Sequence, residues 1–266
     1  MKKTSIILAA AAAGLIVAGQ KYAVAGLTYE GATVISETVM PDLASAFEAK
    51  TTVKFDKIGG AGADKGFKAV IEGKADIGGL SRALSREEKK EKPYYQTIGY
   101  DAIAIFVHEK NPVKNLSKEQ LKGIFTGKIT NWKEVGGKDA KITAVTEFKT
   151  GGRGTLKIFK ELILRNSEFG ATKELDFARD CVNYVATDEN AISYASLCFS
   201  AAGTKSVALE KIEPSASNIK KGSYLLSRPL ILLTKALPAG DVKKFFNFVT
   251  SAEGQAIMAK KFVPVK

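Results

Sequence analysis

The chain has 266 residues, 45% hydrophobic, 26% charged and 9% aromatic, a globular profile that excludes disorder, collagen and coiled coil. Lys and Arg number 40 against 28 Asp and Glu, a formal charge of +12 that first suggests nucleic acid or a membrane surface as partner. One His and two Cys leave too little material for a metal site or a His-based catalytic centre, and nothing calls for a cofactor.

Met1-Lys2-Lys3 is a positive start, Ile6 to Ala18 an apolar stretch, and Ala23-Val24-Ala25 the small-x-small pattern of a signal-peptidase site. Residues 1–25 read as a signal peptide cut near Ala25, with an uncleaved anchor as the alternative. The apolar stretch is short for a bilayer span, and no later run of about 20 apolar residues follows it. Removing 25 of 266 residues leaves a mature chain of 241, and losing Lys2, Lys3 and Lys21 takes the charge from +12 to +9. Export to the periplasm removes DNA and RNA as partners, whatever the pI. Cys181 and Cys198 either pair as a disulfide in that oxidising compartment or remain two buried thiols.

The remainder alternates short β-branched runs with helical patterns, which predicts an α/β fold. A strand over Leu27 to Glu30 ends in Gly31-Ala32-Thr33, and a helical stretch follows to about Ala49, with Pro41 as a kink or restart. Val53 to Asp56 is strand-like, Gly59 to Gly62 a loop, Asp64 to Glu72 a helix, and Ala75 to Gly79 a strand leading to Ser81-Arg82. Ser85 to Lys90 is helical, Asp101 to Val107 a strand, and the Ser-x-x-Gln at Ser117 opens a helix to Phe125 with a capping box. Trp132 in its Gly-rich turn is expected to pack under that helix, and His108 to be exposed. Lys141 to Glu147 is a strand, and Gly151-Gly152-Arg153-Gly154-Thr155 opens a helix running to about Asn166. Strands near Ile192 to Ser196 and Pro229 to Thr234 precede helices Asp241 to Thr250 and Ala252 to Lys260, whose Phe245, Phe246 and Phe248 form a docking face. The long strands near 103 and 230 are expected to cross between two lobes and act as a hinge.

Three of these strand-to-helix turns share small residues and hydroxyls: Gly31-Ala32-Thr33, Ser81-Arg82 and Gly152-Arg153-Gly154-Thr155. A helix start presents unpaired N–H groups and a partial positive charge, so it favours anions. Lys149 and Arg153 add cations, and a guanidinium grips an oxyanion through two parallel bonds. Taken singly, Thr33 and Thr155 also read as simple N-caps, and Arg82 as a solvated charge. Together they lie at strand ends, where open α/β sheets bind ligands.

The run Leu116 to Gly137, LSKEQLKGIFTGKITNWKEVGG, closely resembles the second-lobe motif of periplasmic phosphate-binding proteins, the solute receptors of the phosphate-specific ABC transporter. AVIEGKADIGGLSR (69–82) resembles that family's first-lobe segment, and SNIKKGSYLLSRPLILLT (217–234) with SAEGQ and FVPV near the end resembles its C-terminal part. The resemblance implies a type II periplasmic-binding-protein fold, two lobes with mixed sheets flanked by helices and joined by two crossover strands. It divides the mature chain into lobe 1, residues 26–103 with 228–266, and lobe 2, residues 104–227.

It also implies ligand contacts from Ala32, Thr33 and Val34, from Ser81 with Arg82, and from Lys149, Gly152, Arg153, Gly154 and Thr155. The chain departs from the family where Lys149 stands for Arg, Arg153 for Ser and Ala61 for Ser. Some members carry an Asp near the Ser81 position that accepts a proton from phosphate and so rejects sulfate; this chain has none there, leaving Asp64, Asp76 or Glu147 as substitutes. The expected function is a monomeric, periplasmic, non-enzymatic receptor for phosphate or a related oxyanion, partnered by ABC permease subunits. The alternative is a sensor or adhesin-type module for another anion, uncoupled from transport. An esterase is disfavoured because Gly79-Leu80-Ser81-Arg82-Ala83 misses the G-x-S-x-G elbow and Ser81 has no His partner.

Overall fold

Strand β1 (Leu27–Gly31) buries alternate residues, and the chain then makes a single helical turn, α1 (Thr33–Ser36), before α2 (Met40–Thr51). The computed structural model describes residues 26–150 and 153–265, so the expected signal peptide and its cut, with Gly151 and Gly152, lie outside the described residues. Pro41 falls in the first turn of α2, where its missing N–H is no loss, so the chain restarts there. Thr52 ends α2 in the left-handed conformation, and this turn delays β2 to Phe55–Gly59. Helix α3 (Ala63–Ile71), β3 (Ile77–Leu80) and α4 (Arg86–Lys90) follow, the last opened by a Ser85–Glu88 capping box.

Strand β4 (Tyr94–His108) has 15 residues and starts well before the run read from sequence. The second half adds β5 (Asn115–Leu116), α5 (Lys118–Phe125), β6 (Thr143–Glu147), α6 (Gly154–Leu162), β7 (Lys173–Leu175) and α7 (Ala178–Val185). The predicted Ser117–Gln120 capping box is formed. Helix α6 stops before Asn166 because Arg165 and Asn166 both turn to positive φ. Then come β8 (Ala191–Ser196), β9 (Thr204–Leu209), α8 (Ala216–Lys220), β10 (Ser227–Thr234), α9 (Gly240–Val249), α10 (Ala252–Ala259) and β11 (Val263–Pro264).

The strands run in the order β2-β1-β3-β10-β4-β8-β6-β7, and β4 belongs to both halves. Its residues through Ala102 pair antiparallel with β10, whereas Ile103 onward pairs with β8 and then β9. The return crossing lies at Leu226–Ser227: Leu226 is buried in the second half's core and its carbonyl accepts from the Ile103 N–H, while Ser227 already pairs with Ala102. The whole of β10 therefore sits in the first sheet. Each half-sheet is covered on both faces, the first by α2, α9 and α10 against α3, the second by α5 and α6 against α7. Phe245, Phe246 and Phe248 are buried there, with Phe245 edge-on to Phe47 at 5.2 Å between centroids.

Helix α3 rests directly on β1 backbone at Gly66, where an added Cβ would lie 2.5 Å from the Gly31 Cα. This contact sets the loop before α3 against the first turn. Trp132 is buried and its Nε1–H donates to the Asn190 carbonyl at 3.0 Å. His108 is buried rather than exposed, because β9 covers the end of β4, and its Nδ1 accepts from the Lys110 N–H. Cys181 and Cys198 are both free thiols, not a disulfide. They pack into different clusters, Cys181 on the buried face of α7 and Cys198 against the first lobe's core. Burial pushes each thiol up to about 12, so neither is a nucleophile at neutral pH.

Candidate functional site

The carboxyl ends of β1, β3 and β6 converge on a narrow cleft between the two half-sheets, with a cavity of about 30 Å³. The first lobe lines it with Ala32, Thr33, Val34 and Glu37, with Gly62 and Ala63, and with Ser81. The second lobe contributes Glu147, then Arg153, Gly154 and Thr155 at the start of α6, and Phe177 to Arg179 at the start of α7, with Phe199 at the edge.

The first turn is held in place by its backbone: the Ala32 N–H donates to the Gly79 carbonyl at 2.8 Å, and the Gly62 N–H to the Gly31 carbonyl at 2.9 Å. Thr33 opens α1 but does not cap it; its hydroxyl donates to the Gly60 carbonyl at 2.9 Å and so fastens the Gly-rich loop to the cleft. Arg153 occupies the cap position of α6 and no side chain caps that helix either. The Gly154 and Thr155 N–H groups that lead α6 are thus left without a side-chain cap at the cleft, while the Leu156 N–H faces Glu147. At Gly154 the lobes pack tightly, since a Cβ there would lie 3.0 Å from the Ser81 Oγ.

The electrostatics are mixed. Arg153 places its guanidinium over the Phe177 ring, 4.9 Å from the centroid, with Nε 3.8 Å from Glu147. Glu147, at the end of β6, is only 4% exposed, and its Oε1 has no hydrogen-bond partner among the described residues. Burial pushes its carboxyl up to about 7, against the opposing pull of Arg153, Arg228 and the Leu156 N–H. The Thr155 hydroxyl accepts from Arg228 Nη1 at 2.9 Å. Arg228 itself is clamped by Asp101, which receives Nε at 2.9 Å and Nη2 at 2.8 Å. Across the cleft mouth, Glu37 pairs with Arg179 at 2.8 Å, and nearby Asp64 meets Lys157 at 3.6 Å.

Of the residues singled out from sequence, Ala32, Thr33, Ser81, Arg153, Gly154 and Thr155 are gathered around this cleft. Gly152 lies outside the described residues. Arg82 is not at the cleft: its guanidinium is taken by Glu88, with bonds of 2.7 and 2.6 Å, and by Asp64 at 2.6 Å, because α4's capping box points Glu88 at it. Lys149 is also turned away, its Nζ 2.9 Å from Glu174 and over the Phe169 ring. Asp76 spends both contacts on Thr28 at the amino end of β1, so among Asp64, Asp76 and Glu147 only Glu147 lines the cleft. Sequence reasoning missed Glu37, Phe177, Arg179 and Arg228. Nothing marks the first three, whereas Arg228 sits in the Ser-Arg-Pro-Leu run of the C-terminal motif.

The PBP superfamily domain model matches residues 17–253. The phosphate-binding protein PstS of Staphylococcus epidermidis is 34% identical over 218 residues, 74% of this chain, and the chain spans 66% of that relative's length. A substrate-binding protein from Clostridium perfringens, crystallised with bound phosphate, is similar at 34% identity and a TM-score of 0.80, covering 91% of this chain and 100% of its own. An ABC-type phosphate transport receptor from Vibrio cholerae follows at 29% identity and a TM-score of 0.77, covering 88% and 98%. With the family model spanning most of its length and both structures matching its two-lobed frame, the chain belongs to the PBP superfamily, in the group of the PstS proteins.

Proposed function

We propose that the chain captures inorganic phosphate in this cleft, outside the cytoplasmic membrane, and hands it unchanged to an ABC permease. The observation that carries the reading is the pairing of anion-binding groups with one buried, unpartnered carboxylate oxygen on Glu147. Arg153, the hydroxyls of Ser81 and Thr155 and the first N–H groups of α6 suit an oxyanion. A carboxylate among them suits only an oxyanion that brings its own proton. Phosphate does so at neutral pH; sulfate does not.

The lobes are residues 26–102 with 227–266, and 103–226, each boundary one residue from the expected one, hinged where β4 changes partners and where the chain re-enters β10. Ligand bound to Ser81 on one side and to Arg153 and Thr155 on the other draws them together. The Glu37–Arg179 and Asp64–Lys157 pairs add little each, being largely exposed, but they register the closed faces. The permease reads that closed surface.

Titration calorimetry on the mature chain tests the reading. Arg153→Ala and Thr155→Val are each expected to weaken phosphate about 10- to 100-fold, the loss of a charged or desolvated hydrogen bond, with the fold intact by circular dichroism. Unchanged affinity in both variants moves the site elsewhere, and no heat at millimolar phosphate removes phosphate as the ligand.

A further inference from the structure

We infer that Arg228 is a positioning residue for the cleft: it fixes the Thr155 hydroxyl as a hydrogen-bond donor toward the bound anion and ties it to the hinge. The inference rests on the phosphate reading above. A threonine hydroxyl has one proton and two acceptor lone pairs, so by itself it can face a ligand in either sense. Here Arg228 Nη1 donates to Oγ1 at 2.9 Å, and the hydroxyl donates to nothing else among the described residues. With one lone pair occupied by a cationic donor, the proton is left for an acceptor in the cleft, which Thr155 lines.

Arg228 is itself held rigidly. It lies opposite Asp101 in the β10–β4 ladder, and two of its nitrogens converge on Asp101 Oδ2. Asp101 Oδ1 accepts from Ser196 Oγ at 2.8 Å, so the carboxylate is anchored at both oxygens. Both members of the pair are 2% exposed. They stand one residue from the points where the chain crosses between half-sheets. The bond to Thr155 therefore runs from the hinge of the first sheet to the leading turn of α6 in the second. A lysine could answer Asp101 with its charge but lacks the planar fork that serves Asp101 and Thr155 together.

The test is a double-mutant cycle read by calorimetry with inorganic phosphate, with thermal unfolding followed in parallel. Arg228→Lys is expected to weaken phosphate about tenfold in the native background and less than about twofold in the Thr155→Val background. Asp101→Leu/Arg228→Met, which replaces the charge pair with apolar side chains, gives a second route that does not depend on the lysine variant folding. It is expected to behave the same way. Equal losses in both backgrounds, tracking the fall in melting temperature, show Arg228 to be merely structural and overturn the proposal. Failure of the native protein to bind phosphate is a separate result, which overturns the reading on which the proposal rests.

Discussion

Glu147→Gln is expected to narrow the preference for phosphate over sulfate by about 10- to 100-fold, chiefly by strengthening sulfate, because an unsatisfied buried acceptor costs about 1–3 kcal/mol and an amide can donate instead. The buried Oε1 has no partner among the described residues, so a fully ionised oxyanion would face it lone pair to lone pair. With the carboxyl titrating at about 7, sulfate must wait for the protonated form. Its affinity for the native protein should fall about tenfold per pH unit above that point, one proton being taken up on binding. Phosphate carries a proton of its own and should hold its affinity to pH 8. In Glu147→Gln the sulfate profile should flatten as well. Competition calorimetry at pH 6, 7 and 8 measures this, and an unchanged phosphate-to-sulfate ratio in the variant removes Glu147 from selectivity.

The same residue makes the ligand-free protein less stable as pH rises. An unfolded glutamate titrates near 4.5, and burial moves this one to about 7 in the folded chain. Between those values the unfolded state sheds its proton first, so folding binds a proton and stability falls with increasing pH. The contribution is fully present below about pH 4.5 and is lost by about pH 7, a drop of about 3 kcal/mol at ~1.4 kcal/mol for each pH unit between the two values. Urea unfolding of the ligand-free protein at pH 5 and pH 8 should show that decline in the native chain, and Glu147→Gln should abolish it. A native curve that rises over this interval contradicts the burial argument.

How much of this was legible in the sequence depends on the range of the contacts concerned. Local signals carried well: the Ser117–Gln120 box, the restart at Pro41 and the Gly-Thr start of α6 are settled within one or two turns of chain. The resemblance to phosphate-binding receptors supplied the two-lobed frame. What failed was partner choice among charges. Arg82 and Lys149 have the right chemistry for an anion, yet Glu88 and Glu174 reach them first, and sequence spacing does not show which cation a carboxylate will face. Glu147 is one of three candidate carboxylates that spacing alone does not rank, because its burial depends on α6 and α7 closing over the end of β6. Cys181 and Cys198 show the same limit, since an even pair of cysteines says nothing about which cluster each one enters.

Asp101→Ala is expected to destabilise the protein by about 3–5 kcal/mol, the range for a buried ion pair stripped of one partner. The pair itself need not contribute much net stability, because taking both charges out of water costs nearly what their attraction returns. What is expensive is half of it. With Asp101 gone, Arg228 keeps its charge in a site 2% exposed, retaining only its bond to the Thr155 hydroxyl, and Ser196 loses its acceptor on Oδ1. The damage falls where β4 exchanges β10 for β8, so it loosens both crossings at once. Removing the second charge should therefore help: Asp101→Ala/Arg228→Met is expected to recover more than half of the loss, although it deletes one more side-chain contact. Denaturant unfolding of the two variants beside the native chain decides the matter. A double variant no more stable than Asp101→Ala would mean that the pair's geometry, rather than the stranded charge, holds the hinge together.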